Sequence, residues 1–132
     1  MRKSTISSIV VGAVLLVSGV ALAGQKFSFP VTVTKNADGG GVASGNVGAV
    51  RNSTDAVQYI TCTSTTLVGS ATAGCSAQNT KSVALTCSTT DPEMVAAIRS
   101  VTTDSFVKFL SDKDGKCTSV TVENASFYEP KK

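Results

Sequence analysis

The chain has 132 residues, 42 % of them hydrophobic and 16 % charged, with a formal charge of +3. Histidine is absent, which removes Ser-His-Asp and Cys-His catalysis and every His-containing metal site. Four of the twelve basic residues are Arg2, Lys3, Lys131 and Lys132, so the body is close to neutral and lacks the clustered basic face that nucleic acid requires.

The first element is a leader. Arg2 and Lys3 precede an apolar run over residues 6–21, and Ala21 and Ala23 are the small residues of a cleavage site before Gly24. This order of charge, apolar stretch and A-x-A site predicts a secretory signal peptide over residues 1–23, leaving residues 24–132 as one domain. No cysteine follows the cut, so no lipid anchor is expected there. No later segment is apolar enough to span a membrane, a task that takes roughly 20 residues.

The remainder reads as strands. Serine and threonine make up more than a quarter of residues 24–132, the composition of a sheet with a wet face. In "FSFPVTV" Phe27, Phe29, Val31 and Val33 alternate, and Pro30 marks an edge strand. "NADGGG" (36–41) is a turn. In "VASGNVGAV" the small residues Ala43, Gly45, Val47 and Ala49 alternate along a strand, at a place where another backbone comes close. A strand over 57–65 follows, with Val57 and Tyr59 on one face and Ile60 and Cys62 on the other. A loop over 67–72 then leads to a short strand around Cys75. "QNTK" turns the chain into a strand over 82–87, where Val83, Leu85 and Cys87 share a face. "TTDPEMVAAIRSV" changes period: Thr90 or Asp91 caps a helix, Pro92 opens it, and Met94, Val95, Ile98 and Val101 form its apolar stripe. Finally "SFVKFLS" and "CTSVTVE" flank an Asp-Gly turn, a strong hairpin signal, and the tail "SFYEPKK" docks before fraying. About seven strands, one short α-helix and turns every 8–12 residues predict a mainly β fold, an antiparallel sandwich or open barrel.

Cys62, Cys75, Cys87 and Cys117 lack the C-x2-C spacing of a zinc site and, in an exported chain, predict two disulfides. Of three connectivities, Cys62–Cys75 with Cys87–Cys117 is favoured. The first closes a hairpin-sized loop, and the second ties the last hairpin to the rest.

No residue is assigned a catalytic, cofactor-binding or metal role. Asp91 with Glu93 falls in a helix's first turn, where negative charge suits the helix dipole. Asp112 with Asp114 falls in a turn, and its "DKDG" has the start of a calcium loop without the glycine and glutamate spacing. The triplets Asn52-Ser53-Thr54 and Asn124-Ala125-Ser126 fit glycosylation acceptors but read as loop composition. In "RNSTDAVQYITC" (51–62), Arg51 to Asp55 reads as a turn between paired strands, with Arg51 and Asp55 placed to pair across it. Tyr59 is expected to bury its ring with its hydroxyl at the rim.

"SGNVGAVRNSTDAVQYITC" together with "DGKCTSVTVENASFYEPK" resembles a group of small exported bacterial proteins, four-cysteine and β-rich, of unassigned activity. The resemblance implies export, a bacterial source and disulfides, and it carries no catalytic residues. The leading expectation is therefore an exported, non-enzymatic binding or structural module with a protein or glycan surface as partner. The alternatives are a secreted inhibitor or toxin-like effector presenting the 36–41 or 67–72 loop, and a self-associating fimbrial or coat subunit.

Overall fold

The computed structural model describes residues 24–128. The expected leader, residues 1–23, and the end of the tail, 129–132, lie outside the described residues.

β1 (Thr32–Lys35) and β2 (Gly41–Asn46) form a hairpin across the expected glycine-rich turn. The close backbone approach expected of β2 is present. A Cβ on Gly41 would lie 2.3 Å from the Thr34 carbonyl oxygen, and one on Gly45 would lie 3.2 Å from a Val31 methyl. The expected strand does not continue through Val47 and Ala49. Asn46 ends it, and α1 (Val47–Arg51) begins there, a second short helix where the sequence reading has one. The cause is a cap: the Asn46 side-chain oxygen accepts from the Ala49 N–H at 2.9 Å, supplying a partner for one of the helix's open donors.

Residues 51–55 therefore do not connect paired strands. They carry the chain from one sheet to the other. β3 (Tyr59–Leu67), β4 (Ser70–Gln78) and β5 (Ala84–Thr89) form the second sheet. The loop expected over 67–72 is instead a tight hairpin tip. Leu67 opposes Ser70, and Gly69 supplies a positive φ of 77°, which costs glycine little. The short strand expected around Cys75 is correspondingly nine residues long. α2 (Pro92–Arg99) has the predicted form, with the Asp91 carboxylate accepting from the Glu93 and Met94 N–H groups at 3.0 Å. It packs Val95 and Ile98 inward against β3, β4 and β7. β6 (Phe106–Ser111) and β7 (Cys117–Glu123) form the predicted last hairpin, with Gly115 at φ 75° in its turn.

The result is mainly β: the described residues form seven strands in two antiparallel sheets, ordered β1-β2-β6-β7 and β3-β4-β5, with two short helices. The barrel does not close. The sheets are joined on one side, where Ser88 of β5 bridges to Lys116 and donates its N–H to the Gly115 carbonyl. On that side the Ser111 hydroxyl also donates to the Thr86 carbonyl. On the other side, among the described residues, no strand pairs with β3, which α1 and α2 contact.

Between the sheets lie Val31, Ala43, Ile60, Ala73, Ala77, Leu85, Val107 and Phe109, joined by Cys75, Cys87 and Cys117. Alanine contributes little area, so the sulfurs are a substantial part of the apolar filling. The bridges are Cys62–Cys75 and Cys87–Cys117, as favoured from the sequence. Cys62 and Cys75 are directly opposed on β3 and β4, whereas Cys87–Cys117 staples one sheet to the other.

The two ends of the described chain meet in an aromatic cluster. Phe27 bridges to Tyr128, and Phe27, Phe29, Phe106, Phe127 and Tyr128 contact one another at centroid distances of 4.8–6.1 Å. Such pairs contribute about 0.5–1.5 kcal/mol each beyond their burial. The docking expected of the tail is thus present at Tyr128, which is buried.

Candidate functional site

Alternation along the three-stranded sheet sorts its residues into two chemistries. Ile60, Cys62, Ala73, Cys75, Ala77, Leu85 and Cys87 face the core side. The opposite face carries Thr61, Thr63 and Thr65 on β3, Thr72 and Ser76 on β4, and Thr86 and Ser88 on β5. These hydroxyls form rungs across the strands: Thr61 opposes Ser76, which opposes Thr86, and Thr65 opposes Thr72. Gly74 stands between Thr63 and Ser88 and leaves a dip in the array. A Cβ there would lie 2.6 Å from the Cys87 carbonyl oxygen, so the dip is enforced by the neighbouring backbone.

The face is a shallow trough of about 320 Å³. Tyr59 borders it, and its ring is not buried as expected. It is 40 % exposed, with its hydroxyl 3.3 Å from the Ser76 hydroxyl. Ser76 in turn lies 2.8 Å from the Thr86 hydroxyl, so three hydroxyls form one lateral chain. None of these side chains is charged, and none is a base that could activate a neighbouring hydroxyl. The arrangement can donate and accept hydrogen bonds over an area and offers one exposed ring for stacking.

The residues singled out from the sequence sit elsewhere and are engaged locally. Asp91 caps α2. Asp112 accepts from the Asp114 and Lys116 N–H groups at 2.9 Å, and Asp114 pairs with Lys113 at 2.9 Å. Among the described residues, no three His, Cys, Asp or Glu side chains gather as a metal would need. Asn124 accepts from the Ser105 hydroxyl and donates to the Ser100 carbonyl, fixing the turn before β6. The backbone N–H of Asn52 ends α1 by donating to the Gly48 carbonyl.

Arg51 and Asp55 do not pair. Asp55 accepts instead from the Gln58 and Val57 N–H groups, both at 2.8 Å, and from the Gln58 amide and the Ser53 hydroxyl. The Gln58 and Val57 N–H groups, in that order, draw its pKa down to about 2. That lowered pKa sits at a well-made turn in the crossing between sheets, away from the hydroxyl face. Tyr128 shifts the other way. Burial, and then the hydrogen bond to and charge of Glu123, push its hydroxyl up to about 12.

No protein-family model, curated protein or solved structure matches the chain. Its own geometry therefore carries the functional argument. In the sequence alone the serines and threonines are general strand composition, and this face does not stand out. The signal was present in the period of two at Thr61, Thr63 and Thr65, but the partners on β4 and β5 follow only from register.

Proposed function

We infer that the protein is an exported, non-enzymatic binding module whose hydroxyl face engages a neutral, hydroxyl-rich partner, a glycan surface. The observation that supports this most is the uncharged array of Thr61, Thr63, Thr65, Thr72, Ser76, Thr86 and Ser88 beside the exposed ring of Tyr59. A neutral polyhydroxylated ligand matches such an array hydrogen bond for hydrogen bond and stacks on an aromatic ring without having to neutralise charge. Export is supported by the leader pattern and by two disulfides, which persist in oxidising compartments. Among the described residues, no helix is long and apolar enough to cross a membrane. The absence of histidine supports a binding role over catalysis.

The inhibitor reading has less to stand on, since its 67–72 loop is a two-residue hairpin tip. Co-sedimentation with a panel of insoluble neutral polysaccharides tests the proposal. Binding of the wild type should fall at least tenfold in a Thr61→Glu/Ser76→Glu double variant that keeps both disulfides, and no reducing sugar should be released. A blank panel, or binding that the double variant retains in full, would overturn it.

A further inference from the structure

A sheet edge presents unpaired backbone donors and acceptors, and proteins normally blunt it. Three of the four edges here are blunted. β1 has four residues, follows Pro30 and ends in Lys35. β5 is covered by the Ser111 hydroxyl and the Gly115 carbonyl. β7 sits beside α2, ends in Glu123 and pairs with β6 through a bulge. β3 is contacted by α1 and α2, as β7 is by α2, and Arg99 donates to the Thr66 hydroxyl, but it lacks the proline, bulge and backbone cover of the other edges. It runs for nine residues, "YITCTSTTL", without charge, proline or glycine, and among the described residues no strand pairs its outer side. From Thr61 to Leu67 every residue but Cys62 is exposed, so the strand projects as an arm. The Cys62–Cys75 bridge fixes that arm to β4 and preorganises it.

Register then determines which groups face outward. Ser88 donates its N–H and Thr86 offers its carbonyl beyond β5, so Cys87 exchanges hydrogen bonds with Cys75. The opposed pair Cys62–Cys75, 4.1 Å apart at Cα, is consequently a non-hydrogen-bonded pair of the β3–β4 ladder. The backbone groups of Ile60, Cys62, Ser64 and Thr66 therefore point away from β4.

We propose that this edge pairs with the same edge of a second copy, antiparallel about a two-fold axis at Thr63, to make one continuous six-stranded sheet. In this register Cys62 exchanges hydrogen bonds with the second copy's Ser64, and Ile60 with its Thr66, giving roughly eight interchain bonds. On the outer face Thr63 meets its own copy, Thr61 meets Thr65, and Tyr59 meets Leu67. That last contact partners two side chains that are 40 % and 66 % exposed in the single chain. Threonine–threonine and aromatic–aliphatic pairs are favourable cross-strand neighbours. The strand carries no charge of its own, so no like charges meet across the axis. The pairing is isologous and closes at two copies. It does not depend on what the hydroxyl face binds.

Sedimentation velocity on the oxidised protein tests it. The wild type should sediment at twice the chain mass. Thr63→Asp and Thr63→Lys should each sediment as single chains with both disulfides and the β circular dichroism intact, while an equimolar mixture returns to twice the chain mass. A wild type that stays single up to millimolar concentration overturns the proposal. So do dimeric single variants, or a mixture that fails to dimerise.

Discussion

Asn46 is fully buried, and every polar atom of its side chain is engaged. Its oxygen caps α1, and its amide donates to the Ser105 carbonyl at 3.2 Å and the Asp104 carbonyl at 3.3 Å. One side chain thus fixes the end of β2, the start of α1 and the turn before β6. Asn46→Ala should lower unfolding free energy by about 1–3 kcal/mol, the cost of leaving buried groups unsatisfied, as read from a urea midpoint at unchanged m. Tyr128 gives a pH prediction. Its folded pKa of about 12 lies above the ordinary tyrosine value of 10.0, so its contribution to stability is present below pH 10 and is lost as pH rises through 12. Tyrosinate absorbance should show one group titrating late. Glu123→Gln should bring that group down without restoring the ordinary value, because burial, the larger cause, remains. A profile unchanged by the substitution would remove Glu123 from the explanation.

Among the elements, α2 was legible in the sequence because its signals are local: Pro92 opens it and Val95 and Ile98 sit three apart on the buried side, while the structure decides for Asp91 over Thr90 as the cap and ends the helix at Arg99, before Val101. The last hairpin was legible for the same reason, through Asp114-Gly115 in its turn. α1 was not, since "GNVGAV" carries the alternation of small residues that a strand also shows, and what decides for helix is the tertiary lock on Asn46 from Ser105. Nor was the extent of β4, because "VGS" reads as loop until Leu67 is seen opposite Ser70. The cap of α2 is testable at this scale. Asp91→Ala should cost about 1 kcal/mol. Asp91→Asn, which keeps the accepting oxygen, should recover most of it in the same urea titration.

For the whole molecule, the two bridges have different tasks. Chain-entropy reasoning gives about 3 kcal/mol for the Cys62–Cys75 loop and about 3.7 kcal/mol for Cys87–Cys117, from sequence separations of 13 and 30. The second bridge also holds the sheets together across a core rich in alanine. Cys87→Ala/Cys117→Ala should therefore lower the thermal midpoint further than Cys62→Ala/Cys75→Ala, and the difference should exceed that small entropic gap. Equal midpoints would mean that the inter-sheet staple contributes nothing beyond loop closure. The sequence read the four cysteines and their pairing correctly. It could not place the hydroxyl face, which exists only once β3, β4 and β5 stand side by side. That face is the centre of the account, and an amide-resolved NMR titration with soluble neutral oligosaccharides tests it most directly. Shifts are predicted to cluster on Tyr59, Thr61, Thr63, Ser76, Thr86 and Ser88. Saturable shifts confined to the β1-β2-β6-β7 sheet or to the aromatic cluster would contradict it.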